Sequence, residues 1–324
     1  MRTRNKELVH PNIFRFIFSI LFGGLLWAKD FFVPGSSHSN GLFFNLLDFP
    51  GNNSIWGFLL TVGIAYLLFR LQETYTFIQQ RTFLPFLFFI VLIGGSYSLH
   101  NLTNGLFGAI FLLLSLWQIF STFHKNEPIE AAFNAGLFLS IGYFFVFDFL
   151  FLIPFIFICL YIVNNLSPRL FLAMLFGLLT PAILIFGFSF WMGNLDIQLN
   201  YFVNNIQFNL DYGSTNHLVL IFSFIFTIIS LIAISGCFQN RYSSSITERK
   251  NLQVLIWIFS ALLIIVWARI SQRTEIFPSF FAICALLFSI FFSTRFSKKN
   301  TILFIILLIL QIITLILGYN GKLG

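Results

Sequence analysis

Charge is what this sequence has least of: 9% of its 324 residues are Asp, Glu, Lys or Arg. Soluble domains carry about a quarter, so a fold with a water-facing charged surface is excluded. Long polar stretches are missing as well. No segment between the apolar runs is large enough for a soluble module, and residues 1–324 read as a single integral membrane domain. Cysteine is scarce, with three in the chain. Cys159, Cys237 and Cys284 lie in or at the end of apolar runs and form no C-x-x-C pair. They therefore read as small buried hydrophobes, not as a zinc site or a redox motif. The P-loop, the H-E-x-x-H helix, the G-x-S-x-G elbow and the dinucleotide glycine fingerprint are all absent. ATP-driven transport by this chain alone is not expected. The first apolar run lacks an A-x-A-like site, and Trp27-Ala28-Lys29-Asp30 leads straight into a loop. That run reads as a retained helix and not as a cleaved signal.

What is there is hydrophobicity, at 58% of the residues, with 49 Phe among them. Phe is a good lipid-facing residue, and its abundance reads as membrane background. Runs long enough to cross the hydrocarbon layer, which takes about 20 helical residues, fall at 13–28, 55–69, 83–99, 105–122, 131–146, 149–163, 170–191, 217–237, 252–268, 276–292 and 301–318. Only a helix satisfies its own backbone in lipid within so short a segment. The expected fold is an all-α, polytopic membrane protein of about eleven spans, with the N-terminus cytoplasmic and the C-terminus periplasmic.

Residues 131–163 are an apolar run of 33 residues broken only by Asp148. One helix of that length would measure about 50 Å at 1.5 Å per residue, too long for a bilayer. Read as a hairpin, the run places 14 of the 18 basic residues on the cytoplasmic side. Lys29, Arg269, Arg273 and Lys322 are then left outside. Read as a single span, it inverts all that follows and splits the basic residues 10 to 8. The positive-inside rule selects the hairpin.

The same topology puts Asp30, Asp48, Asp148, Asp196 and Asp211 on the outer side. Five of the six glutamates fall on the cytoplasmic side, with Glu275 the exception. The net charge of +7 comes from basic residues scattered one to three per loop. Such scatter carries orientation and does not track a phosphate backbone, so no nucleic-acid partner is expected. Two outer loops are long. In 29–54 the run Leu42–Leu47 is too short to span and reads as interfacial. In 192–215 apolar residues recur at helical spacing, although their alternation also suits a strand. No internal repeat is evident, and an odd span count argues against two inverted halves.

Among the charged residues Asp30 comes first. It follows the first span at the outer face beside Lys29, where a carboxylate can serve as general base or form a solvated helix-end pair. Asp148 interrupts the hairpin between Phe147 and Phe149, where a charge near the apolar layer is functional or paired, or simply marks the turn. Arg269 and Arg273, with Glu275, are the basic cluster of the outer face. Arginine forks bind phosphate in two-pronged fashion, so the cluster could hold a lipid phosphate, or Arg273 and Glu275 could pair locally. Arg15 reads as snorkelling to the cytoplasmic surface, and Arg70 and Glu73 as an i,i+3 pair. The five histidines lie at loops or span ends, ungrouped, and read as structural or solvated.

At Gln80-Arg81-Thr82-Phe83-Leu84-Pro85, and from Ala132-Phe133-Asn134-Ala135-Gly136-Leu137 to Pro168-Arg169, the chain resembles a family of uncharacterised bacterial inner-membrane proteins of about 300 residues. Its layout is also similar, more loosely, to GT-C glycosyltransferases. Those have many spans, a long first outer loop with an acid just after the first span, and interfacial helices. Lys29-Asp30 and the 29–54 loop fit that outline, but Asp30 has no adjacent acid and there is no soluble outer domain.

The resemblance implies a polyprenyl-phosphate sugar donor, Asp30 as the base and Arg269 or Arg273 on the leaving phosphate. Asp48 or Asp148 would orient substrate or a divalent cation. Two other roles stay open on the sequence: a non-enzymatic membrane subunit of an envelope assembly or secretion complex, and a transporter or lipid flippase. Charges at span ends and not across the midplane count against transport. The partners expected are membrane lipids, a polyprenyl-phosphate-linked substrate, or other envelope membrane proteins.

Overall fold

The computed structural model describes residues 12–32, 52–75, 77, 82–124, 128–164, 167–193, 196, 203, 217–239, 245–269, 275–294 and 298–319. The described residues are almost all helical, without a strand. In chain order the α-helices are α1 (Ile13–Leu26), α2 (Ala28–Phe32), α3 (Asn53–Tyr75), α4 (Leu84–Gly94), α5 (Asn104–Ser121) and α6 (Ile129–Phe145). They continue as α7 (Ile153–Asn164), α8 (Pro168–Trp191), α9 (His217–Gln239), α10 (Ile246–Ala268), α11 (Phe277–Thr294) and α12 (Lys298–Tyr319). Among the described residues six segments are long and apolar enough to cross a membrane: Asn53–Tyr75, Asn104–Ser121, Pro168–Trp191, Leu220–Cys237, Ile246–Ala268 and Ile302–Tyr319. Five other apolar helical segments are shorter. Every apolar run read from the sequence coincides with one of these eleven segments. The short apolar run of the first outer loop, and nearly all of 192–215, lie outside the described residues.

Local sequence sets several boundaries. Ser245-Ile246-Thr247-Glu248 forms a capping box: Ser245 Oγ accepts from the Glu248 amide at 3.3 Å, and Glu248 Oε2 accepts from the Ser245 amide at 3.1 Å. Two of the orphan donors at the start of α10 are thereby satisfied. Ser167 caps α8 with Pro168 at its first position, where a missing N–H costs nothing. The run expected as one span over 83–99 divides in two. Helix α4 ends at Gly94, and a 3₁₀ turn follows at Tyr97–Leu99. Gly94 and Gly95 supply no side chain, and Leu26, Trp27 and Gln311 fill the space where their Cβ atoms would stand.

The apolar run 131–163 is two helices. Val146 adopts an extended conformation and residues Phe147–Leu152 form a 3₁₀ turn, so the chain reverses there. Helix α6 runs antiparallel to α5: Ser115 Oγ donates to Ala135 O at 2.9 Å, and Gly108 meets Val146. Helix α7 then returns, with Cys159 beside Val254 and Val163 beside Lys250. The two arms pack on different neighbours, α6 on α5 and α8, and α7 on α10.

The centre of the bundle is built from α4 and α11. All described side chains from 278 to 293 are buried, as are nine of the eleven residues of α4. A helix that is apolar all round belongs in the middle, and here that middle is closed by Phe88, Phe288, Phe292 and Phe304 packed ring on ring. Around it α1, α8, α9 and α12 turn exposed Ile, Leu and Phe outward, among them Phe14, Phe176, Ile228 and Ile309. Such a surface suits lipid and not water. The three cysteines are buried and free, as their apolar settings predict.

Helix α8 touches the bundle chiefly through α6, and glycine makes this possible. A Cβ on Gly136 would stand 2.3 Å from Met174 O, and one on Gly177 would stand 2.1 Å from Phe133 O. Two backbones approach across a pair of small residues, the usual device where lipid removes the hydrophobic drive for helix association. Gly177→Ala is expected to force the helices apart at a cost of about 1–3 kcal/mol, read as a lower thermal midpoint in neutral detergent. Gly24→Ala is the control. Nothing lies within 4 Å of its Cβ position, so the midpoint should hold or rise slightly.

Polar groups sort to the two ends of the bundle. One end holds Arg70 with Glu73 at 3.4 Å, Asn251 donating to Tyr75 O at 3.0 Å, and Lys250 donating to Val163 O at 3.2 Å. The buried chain Ser289–Gln72–Thr82 lies toward the same end, with hydrogen bonds of 2.7 and 2.8 Å. The Arg70–Glu73 pair is the one its spacing predicts. Arg15 reaches the Phe83 ring at this end. The opposite end carries Asp30, Asp148, Arg269 and Glu275.

Candidate functional site

Trp27 separates α1 from α2 and is fully buried. Its indole N–H donates to His100 O at 2.9 Å, and its ring stacks on the imidazole with centroids 4.2 Å apart. Helix α2 then carries Lys29 and Asp30. Asn52 closes α2 onto α3 by donating to the carbonyls of Asp30 and Phe31, at 3.1 and 3.0 Å. The loop 100–104 is held in turn: Ser54 Oγ donates to Asn101 Oδ1 at 2.8 Å, and the Leu102 amide donates to Asn53 O at 3.2 Å.

Two distant parts of the chain converge on the Asp30 carboxylate. His100 Nδ1 lies 2.5 Å from Asp30 Oδ2, and Tyr319 Oη lies 3.1 Å from the same oxygen and 2.9 Å from Leu26 O. His100 Nε2 faces Gly94 O at 3.0 Å. A backbone carbonyl only accepts, so Nε2 carries a hydrogen. The contact between Nδ1 and Oδ2 needs one more proton between them. Wherever that proton sits, His100 and Asp30 together are electrically neutral, which is how an acid and an imidazole can both be buried at this end of an apolar bundle. Oδ1, the second oxygen of Asp30, makes no hydrogen bond to any described residue.

A second charged pair closes the same end. Asp148, in the turn between α6 and α7, lies 3.1 Å from Arg269 at the end of α10, and both are essentially inaccessible to solvent. The guanidinium sits over Phe151 at 5.3 Å and near Phe147 at 6.0 Å. Glu275, at the start of α11, meets Asn104 Nδ2 at 3.4 Å, four residues beyond His100.

Of the residues proposed from sequence, Asp30, Asp148 and Arg269 are thus brought to one end, in two separate clusters. Arg269 is turned toward Asp148 inside the protein and not toward the surface. Asp48 and Arg273 lie outside the described residues. His100 and Tyr319 went unrecognised as partners of Asp30. The signal available was their position: His100 ends the third apolar run and Tyr319 the last, both on the side of Asp30. Among the described residues no three His, Cys, Asp or Glu side chains gather as metal ligands.

Residues 15–319 match a protein family described as being of unknown function, DUF6427. The chain belongs to the DUF6427 family. No curated protein and no solved structure matches it. The DUF6427 match runs from inside α1 to Tyr319, so it takes in Asp30, His100, Asp148, Arg269 and Tyr319 together.

Proposed function

We propose that this DUF6427 chain is a transferase of the bacterial inner membrane, GT-C-like in layout, which acts on a lipid-linked sugar at the outer face during envelope glycan assembly. In this reading all eleven apolar helical segments are spans, the N-terminus is cytoplasmic and the C-terminus periplasmic. The observation that carries the proposal is the Asp30 carboxylate, with Oδ2 held by His100 and Tyr319 and Oδ1 left to accept.

In the proposed reaction Oδ1 takes the proton of an acceptor hydroxyl while the hydroxyl oxygen bonds to the anomeric carbon of the donor sugar. The bond from that carbon to the phosphate oxygen breaks, and its electron pair leaves on the polyprenyl phosphate. Asp30 then releases its proton to water. Arg273 and Asp48 are proposed to contact the donor. Asp148 and Arg269 keep the end of α10 in place and are positioning residues. Among the described residues no three His, Cys, Asp or Glu side chains converge as cation ligands.

A deletion strain should accumulate the lipid-linked donor and lose or shorten one envelope glycan, as read by mass spectrometry of lipid extracts and released glycans. An unchanged lipid-linked pool would favour a second reading, a non-enzymatic subunit of an envelope assembly or secretion complex. The buried charges support that alternative, since Asp30 and Asp148 each have a partner within the chain.

The orientation has its own test. Phe32 is 87% exposed at the Asp30 end, and the Arg70 side chain is 52% exposed at the other. The native cysteines are buried and should not react. Phe32→Cys should react with an impermeant thiol reagent on intact cells, and Arg70→Cys only after the inner membrane is opened. The reverse pattern would invert the topology.

A further inference from the structure

Two of the cationic side chains expected near the site, Lys29 and Arg269, have opposite fates. Arg269 is buried against Asp148. Lys29 is exposed, lies next to Asp30 in the chain, and has no carboxylate partner among the described residues. Its ammonium stands 4.4 Å from the centre of the Tyr319 ring. The hydroxyl of that ring touches Asp30 Oδ2. One tyrosine therefore fixes both groups, the cation on its face and the carboxylate at its tip. Because Asp30 and His100 together carry no net charge, Lys29 is the charged group beside that pair among the described residues.

We propose that Lys29, braced by Tyr319, is a phosphate-binding cation at this end of the protein and takes a lipid-linked phosphate. This gives the donor site of the transferase reading its anchor and rests on that reading for its biological role, though the binding itself does not. A glycosyl donor needs a positive charge at the leaving phosphate and a base for the acceptor hydroxyl. Lys29 and Asp30 are adjacent in the chain and both meet Tyr319, the ammonium at its ring face and the carboxylate at its hydroxyl. An ammonium is a point charge with three donors, suited to a phosphate that enters from the membrane surface. The ring holds it by cation–π attraction and limits its freedom to snorkel elsewhere.

The test is equilibrium binding of farnesyl phosphate to the full chain in neutral-detergent micelles, followed by ³¹P line broadening. Lys29→Gln should weaken binding roughly tenfold or more, the loss expected for one charge-assisted hydrogen bond. Lys29→Arg should restore it. Tyr319→Phe, which keeps the ring, should bind as the native chain does, and Tyr319→Leu should not. The thermal midpoint of Lys29→Gln should not move, because the side chain is exposed. Asp30→Asn should leave binding intact, so a transferase reading that fails at Asp30 would not carry this result with it. Competition by inorganic phosphate would show that the site takes the phosphoryl group from either source. Native binding by Lys29→Gln, or equal competition by phosphatidylglycerol, would overturn the proposal and leave Lys29 an ordinary headgroup contact.

Discussion

Arg269→Met should destabilise the protein by about 3–5 kcal/mol, the range found when one member of a buried ion pair is removed. Asp148 would keep a carboxylate with no accessible surface after losing its Arg269 partner. Loss of the Arg269 charge beside a buried carboxylate is not offset by water or by lipid. Asp148→Leu should cost a similar amount, because it removes the carboxylate 3.1 Å from the buried guanidinium. The double replacement Asp148→Leu with Arg269→Met should recover most of the loss, since apolar residues of similar volume often substitute for a buried pair at little net cost. Denaturation in mixed micelles or the thermal midpoint of the purified protein measures all three. If each single replacement were as mild as the double, the pair would not be holding the α6–α7 turn to the end of α10.

Asp30→Asn should have the opposite profile, with stability kept and activity lost. Asn has almost the same shape, and its amide N–H can donate to Nδ1 of a neutral His100, whose Nε2 still donates to Gly94 O. The link between α2, the 97–100 turn and α12 therefore survives. What disappears is an oxygen able to take a proton from an acceptor hydroxyl, and loss of a general base lowers turnover by about 10²–10⁴-fold. Replacing His100 should reverse the pattern again, because its imidazole is clamped between Trp27, Gly94 O and Asp30 and its loss opens three contacts at once.

Much of this architecture was legible in the sequence. Each apolar run became a helix because lipid leaves the backbone no alternative. The reversal at 146–152 followed from counting Lys and Arg, and Asp30 stood out by its place after the first run. What the sequence did not disclose was which helix ends meet. Asp30 bonds to residues 70 and 289 positions away. Asp148 and Arg269 were each marked as substrate groups, and nothing in their spacing shows that they face each other. In a soluble protein the polar face of a helix betrays its buried side. Here Phe, Leu and Ile serve both lipid and core, so α4 and α11 at the centre read much like α8 and α12 at the rim. Gly136 and Gly177 were likewise invisible as a contact, since a close backbone approach depends on what lies opposite. The early end of α4 is different in kind: Gly94-Gly95 is a readable stop that the apolar run around it concealed.

The most direct test of the central claim is the lipid-linked sugar and envelope glycan profile of a deletion strain complemented with either the native gene or Asp30→Asn, at matched protein levels in the membrane. The account predicts that the native gene restores the glycan and drains the accumulated donor, while Asp30→Asn, present and folded, leaves both as in the deletion. Full restoration by Asp30→Asn would contradict it and assign the Asp30–His100–Tyr319 cluster to holding the bundle together.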